Sequence, residues 1–220
     1  INASTLKEEF NLCPSESFAE QDSGGLCSAF LVKPNVMVTA GHCVIGQTDC
    51  QKTKFVFDYA IKNQGDSSPK VVSKDFVYSC KNVIKSVFEY SGADFAVIEL
   101  DRPVTGREPL EVRAEGEVTI GTDLVVMGHP GGIPLKIAGG AGVRAIEKSF
   151  FEANLDTYGG NSGSAVFNSD TGLIEGILVR GNPDYEVKDG CFVSQRCTNE
   201  GCMGEEVTKI TTVREFIPEN

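Results

Sequence analysis

Short apolar runs rich in Val, Ile, Phe and Thr recur along this chain between turn-forming residues, and few segments offer the apolar spacing of a long helix. Runs of that length bury themselves by pairing edge to edge. The pattern therefore predicts an all-β protein of sandwich or barrel type. The expected strands span residues 28–32, 36–40, 54–59, 95–100, 124–127, 143–146, 165–168 and 173–179. Lys33-Pro34-Asn35 is a turn that makes a hairpin of the first two. Near the end, "TTVREFIPEN" predicts one short helix, capped by Thr211 or Thr212 and stopped at Pro218. The polar stretch "DRPVTGREPLEVRAEGE", residues 101–117, holds two prolines and two glycines and is the best linker. It divides the chain into an amino-terminal half, 1–105, and a carboxy-terminal half, 106–220.

Charge and cysteine usage narrow the function classes. A formal charge of −11 argues against nucleic acid or an anionic membrane as partner, because both require a basic surface. No apolar run is long enough to span a bilayer. The eight cysteines form an even set without a CxxC pair, and with only two histidines they offer no zinc cluster at ligand spacing. Disulfides formed in an oxidising compartment are the expected use, so the chain reads as secreted or periplasmic. It opens at Ile1 without a basic-then-apolar leader, as a product from which a targeting segment has been removed would.

The chemistry-bearing stretch is "LDTYGGNSGSAVF", residues 155–167. Ser162 there is either a nucleophile on a shaped turn or one more serine in a glycine-rich hairpin. His42 follows an apolar strand in "VMVTAGHCV" and directly precedes Cys43. A Cys27–Cys43 bridge would close the hairpin beneath the histidine and hold its ring, contributing about 3 kcal/mol by loop length. His129, in "VMGHPGG", sits in a tight turn and reads as structural. In "SGADFAVIEL", Asp94 precedes an alternating apolar strand that would draw it inward, where a carboxylate needs a partner such as a histidine. The order His, Asp, Ser is that of the chymotrypsin-type triad. The turn also fails the glycine-serine-glycine elbow of α/β hydrolases, since Ser164 stands where that pattern needs glycine.

Taken together, "LCSAFLV", "VTAGHCV", "ADFAVIEL", "VMGHPGG", "DTYGGNSGSAVF" and "GLIEGILVRG" resemble the trypsin/chymotrypsin-like serine endopeptidases, and within them the bacterial glutamyl-endopeptidase-like branch. The resemblance implies two six-stranded antiparallel β-barrels with the active site between them. It implies a cofactor-free, metal-free monomer that hydrolyses protein or peptide substrates through His42, Asp94 and Ser162. The backbone amides of Gly160 and Ser162 would form the oxyanion hole. Substrate contacts would come from Asp156, Thr157, Leu178, Val179 and Gly181. Asp156 would floor the specificity pocket and favour Lys or Arg. Leu178 stands where glutamyl-specific members carry a histidine, which argues against glutamyl specificity. Asn161 replaces the aspartate that pairs with a freed terminal amine in animal members, so activation by that ion pair is not expected. Cys13, Cys50, Cys80, Cys191, Cys197 and Cys202 match no family pairing. A fold retained only as a binding or adhesion module is the alternative, and such a chain would be expected to have lost a triad residue.

Overall fold

The computed structural model describes residues 1, 3–199 and 201–219. In the amino-terminal half, β1 (Phe30–Lys33) turns into β2 (Val36–Thr39), and β3 (Lys54–Val56) precedes the long β4 (Val77–Phe88) and β5 (Asp94–Leu100). These five form one sheet in the order β1-β2-β5-β4-β3. In the carboxy-terminal half come β6 (Asp123–Gly128), β7 (Lys136–Ile146), β8 (Phe150–Ala153), β9 (Ala165–Asn168), β10 (Ile174–Arg180), the hairpin β11 (Tyr185–Lys188) and β12 (Cys191–Ser194), and β13 (Glu205–Lys209). Six of them close a barrel in the order β10-β13-β8-β7-β6-β9. The protein is thus all-β and chymotrypsin-like. Its second barrel has six strands, while the first is a five-stranded half-barrel sheet among the described residues.

The sheets meet face to face because β5 buries both of its faces. Phe95 and Val97 join Phe30, Val36 and Val38 against Ile174, Ile177, Val179, Ile210 and Val213 of the other half. Ala96, Ile98 and Leu100 alternate to the opposite side and pack on Leu31, Met37, Phe55 and Tyr78. A third cluster, with Leu124, Phe151, Leu178 and Val207, fills the barrel. A satellite of Leu6, Leu12 and Ile133 docks the amino-terminal arm, including α1 (Leu6–Phe10), on the barrel exterior.

Four disulfides staple this frame: Cys13–Cys191, Cys27–Cys43, Cys50–Cys80 and Cys197–Cys202. The Cys50–Cys80 bridge pins the one-turn helix α2 (Gln47–Cys50) to β4. At the carboxy terminus a short helix is present, but the expected cap is displaced. Lys209 occupies the cap position of α3 (Ile210–Val213) without a side-chain capping bond, and Thr211 and Thr212 lie inside the helix. Burial of Ile210 and Val213 sets the start instead of a hydroxyl. A 3-10 turn, Arg214–Phe216, follows and ends before Pro218.

Candidate active site

Strand β2 delivers the chain into a 3-10 turn, Gly41–Cys43, that presents a half-buried His42. Asp94, fully buried at the start of β5, meets it twice. The His42 backbone N–H donates to Asp94 Oδ1 at 3.1 Å, and His42 Nδ1 lies 2.7 Å from Oδ2. With Nδ1 committed to a carboxylate, the Nε2 edge of the ring is the one left for other chemistry. The His42 side chain keeps 29% exposure, whereas the Asp94 side chain keeps none. Thr208 of β13 fixes the Asp94 backbone: its hydroxyl donates to the Asp94 carbonyl at 3.0 Å and accepts the Asp94 N–H at 3.2 Å.

Ser162 approaches from the other half. One residue, Ser28, holds the turn that carries it. The Ser28 N–H donates to the Ser162 carbonyl at 2.8 Å, and its hydroxyl donates to the Gly160 carbonyl at 2.9 Å. That hydroxyl also accepts the His129 N–H, while the Ser28 carbonyl accepts from Thr39 Oγ1. Ser28 adjoins Cys27, which is bridged to Cys43, the neighbour of His42. The disulfide therefore ties the holder of the serine turn to the histidine turn, and Cys43 Sγ lies 3.8 Å from the Ser162 carbonyl oxygen. Joined to each other, those two sulfurs offer no thiolate to a metal.

The serine turn is shaped by glycines with left-handed backbone. Gly160 has φ 91° and packs against the 129–132 turn, and Gly163 has φ 90°. A Cβ on Gly163 would overlap the Ser28 carbonyl and the Thr39 hydroxyl. Most amides around Ser162 are consumed inside the protein. Gly159 donates to Asp184 Oδ2, Asn161 to Tyr158, Gly163 to Leu178 and Ser164 to Asn161. The amides of Gly160 and Ser162 have no acceptor among the described residues, so they are the donors available to a ligand.

The remaining expected site residues divide. Thr157 donates through its hydroxyl to Glu205, and Gly181 lies against that same carboxylate. Asp156 lines the adjoining cleft but is exposed. Leu178 and Val179 do not line a pocket with their side chains. Alternation along β10 sends Leu178 into the barrel and Val179 into the seam between the halves. What Leu178 contributes is backbone: its carbonyl accepts from Gly163 and its N–H donates to Ser164, which registers the serine turn on β10. His129 is structural, with Nδ1 2.9 Å from the Ile133 carbonyl and its ring stacked on Tyr59; burial pushes its pKa down. Asn161 is buried and accepts from Ser164 Oγ at 3.2 Å, while the Ile1 amine donates to the Lys70 carbonyl.

Two participants escape sequence reasoning. Arg180, at the end of β10, sets Nη1 3.5 Å from Asp94 Oδ2 and donates to the Glu89 and Gly92 carbonyls, while its Nε pairs with Glu206 at 2.6 Å. Glu205 is the other. Arg180 lies in "GLIEGILVRG" without a local mark of its role, Glu205 stands outside the quoted segments, and only the fold brings their partners near.

The model of the trypsin-like peptidase domain matches residues 27–177, which contain both turns and the strand that starts at Asp94. The chain belongs to the trypsin-like peptidase family. Among solved structures, this peptidase domain is similar to a Glu endopeptidase in complex with MPD, at 21% identity, with a TM-score of 0.55, covering 87% of this chain and 83% of that one. It is also similar to the active form of the Rv3671c protease from M. tuberculosis, at 19% identity, with a TM-score of 0.52, covering 86% of this chain and 70% of that one. At these identities the likeness is one of fold. No curated protein matches in sequence.

Proposed function

We propose that the chain is a secreted serine endopeptidase acting as a monomer on protein or peptide substrates, without cofactor or metal. The observation that carries this reading is His42 held by a buried carboxylate and tied through Cys43, Cys27 and Ser28 to a serine turn that keeps two amides without an acceptor among the described residues. In this reading Ser162 Oγ attacks the substrate carbonyl. His42 Nε2 takes the hydroxyl proton and returns it to the leaving amine, giving an acyl-enzyme that water hydrolyses by the reverse route. Asp94 holds the tautomer and stabilises the imidazolium. The amides of Gly160 and Ser162 receive the oxyanion, each worth about 3 kcal/mol in the transition state. The residues divide functionally at 105/106, with base and orienting acid before the boundary and nucleophile after it. Four disulfides suit an oxidising, extracellular setting, and no described helix is long and apolar enough to cross a membrane. Carboxylates beside the serine turn favour a basic residue before the scissile bond.

Steady-state cleavage of a mixed peptide library by Ser162→Ala, His42→Ala and their double variant tests the reading. Each single variant should lose roughly 10⁴–10⁶-fold in kcat, and the double variant should lose no more than the worse single one. Additive losses would refute Ser162 and His42 acting as a unit, and a wild-type chain that binds peptides without turning them over would place the protein among binding modules instead.

A further inference from the structure

Strand β13 opens with Glu205, whose carboxylate bridges two segments beside the serine turn, the walls of a narrow slot. On one wall Thr157 Oγ1 donates to Glu205 Oε2 at 2.8 Å. On the other the Asn182 N–H donates to Oε1 at 3.4 Å, and a Cβ on Gly181 would overlap the carboxylate. Both walls are fixed to the serine turn. Thr157 belongs to the segment that runs into Gly160, and the Gly181 segment continues β10 from Leu178, which hydrogen-bonds Gly163 and Ser164. Glu205 therefore lies between the two segments that flank the serine turn.

We infer that Glu205 is the specificity-determining residue of this peptidase, receiving the charged end of a lysine or arginine that precedes the scissile bond. The inference rests on the endopeptidase reading above. Its warrant is an unanswered charge. The adjacent Glu206 is paired with Arg180 at 2.6 Å, whereas Glu205 has only neutral donors and no cationic partner among the described residues. Around it stand further acids. Asp184 accepts the Gly159 N–H at 2.7 Å from the far side of the slot, and Asp156 lies exposed on the same cleft of about 780 Å³. Two of the cations that line this cleft are engaged: Arg144 donates to the Cys202 carbonyl, and Lys136 donates to Gln21 and the Pro134 carbonyl. Arg196, beyond the end of β12, also lines the cleft, but Glu205 takes its hydrogen bonds from Thr157 and Asn182. A carboxylate enclosed without a counter-ion is costly, and an incoming ammonium or guanidinium removes that cost. An acidic substrate side chain would add to it.

Burial, reinforced by Asp184 and Asp156 and opposed by the Thr157 and Asn182 hydrogen bonds, pushes the Glu205 carboxyl up to about 7. The recognising charge is therefore complete only above neutrality and is lost as pH falls. The reacting groups act on every substrate alike, so the ratio of kcat/KM between matched Lys and Gln peptides isolates Glu205.

The test measures that ratio from pH 5 to 9 for the wild type, Glu205→Gln, Glu205→Asp and Asp156→Asn, with active sites titrated by a serine-directed phosphonate. The wild type should favour Lys and Arg peptides by about 100-fold at pH 8.5, with the ratio falling through pH 7. Glu205→Gln should lose most of that preference and its pH dependence while still cleaving the Gln peptide. Glu205→Asp should retain a part, and Asp156→Asn should lose far less of the preference than Glu205→Gln. A Glu205→Gln variant with wild-type preference, loss of preference in Asp156→Asn instead, or a wild type that cuts after Glu overturns the inference while the phosphonate still titrates the enzyme. Should Glu205→Gln fail to fold, the wild-type ratio decides: a ratio independent of pH overturns the inference. A wild type that the phosphonate does not titrate overturns the endopeptidase reading itself.

Discussion

Removal of the Arg113 side chain should destabilise the protein far more than its place in a polar linker suggests. Arg113 Nε and Nη2 each approach Glu175 oxygens at 2.6 Å, a two-point pair in which the Glu175 side chain has no exposure and Arg113 keeps 22%. The guanidinium is held firmly protonated by that hydrogen bonding. Backbone bonds lock the same place: Arg113 N–H donates to the Ile174 carbonyl, and Ile174 N–H donates to Glu111. In Arg113→Ala, Glu175 would stay buried with one hydrogen bond, from Asn168 Nδ2 at 2.8 Å. Breaking one side of a buried pair costs about 3–5 kcal/mol. In a domain of this size each kcal/mol moves Tm by roughly 2–4 °C, so a fall of about 10 °C is expected. Glu175→Leu combined with Arg113→Met removes both charges and should recover most of the loss. Calorimetric melts of the wild type, both single variants and the pair would give the cycle. A loss below about 1 kcal/mol for Arg113→Ala, or a double variant as unstable as the single one, would refute the reasoning.

Three further outcomes follow from the geometry. Replacing Cys27 and Cys43 with alanine should cost about 3 kcal/mol from the 16-residue separation and lower kcat more than it raises KM, because the bridge joins the two turns; a stability loss with unchanged kcat would separate bridge from site. Gly163→Ala forces a Cβ onto the Ser28 carbonyl at a left-handed φ, so both Tm and turnover should fall sharply, and a variant with wild-type activity would show that the turn is not held as described. Glu205 contributes stability that is fully present below its unfolded value near 4.5 and lost as pH rises through about 7. Glu205→Gln should therefore gain on the wild type by up to about 3 kcal/mol between pH 5 and pH 8 in denaturant melts, and no gain would place its carboxyl in water.

Legibility in the sequence followed local chemistry. "ADFAVIEL" reads as a strand because its alternation is uninterrupted, and the seam and the core each take one face of β5. "VYSCKNVIKSVF" does not, since Lys81 and Lys85 break the apolar run, although it forms the longest strand, β4. Three charges hide strand β13, "EEVTK": tertiary ion pairs answer Glu206 by Arg180 and Lys209 by Glu117, while Glu205 takes only neutral hydrogen bonds, from Thr157 and Asn182. The same blindness covers the site. His42, Asp94 and Ser162 stand in turns with their own signatures. Ser28 and Arg180 lie in "LCSAFLV" and "GLIEGILVRG" and Glu205 in neither, but nothing local marks their roles, because each works through partners distant in sequence that only the fold brings near, as Arg180 and Glu206 show. Leu178 was placed in a pocket by motif position, but strand alternation turned it into the core.

The central claim is that Ser162 is a nucleophile activated by His42. Incubation of the folded, disulfide-intact protein with a fluorophosphonate, followed by peptide mapping under non-reducing conditions, tests it directly. A single stoichiometric adduct on Ser162 is predicted, absent in Ser162→Ala and formed at least 10³-fold more slowly in His42→Ala. A folded chain that remains unlabelled, or that labels Ser162 equally fast without His42, would contradict the account.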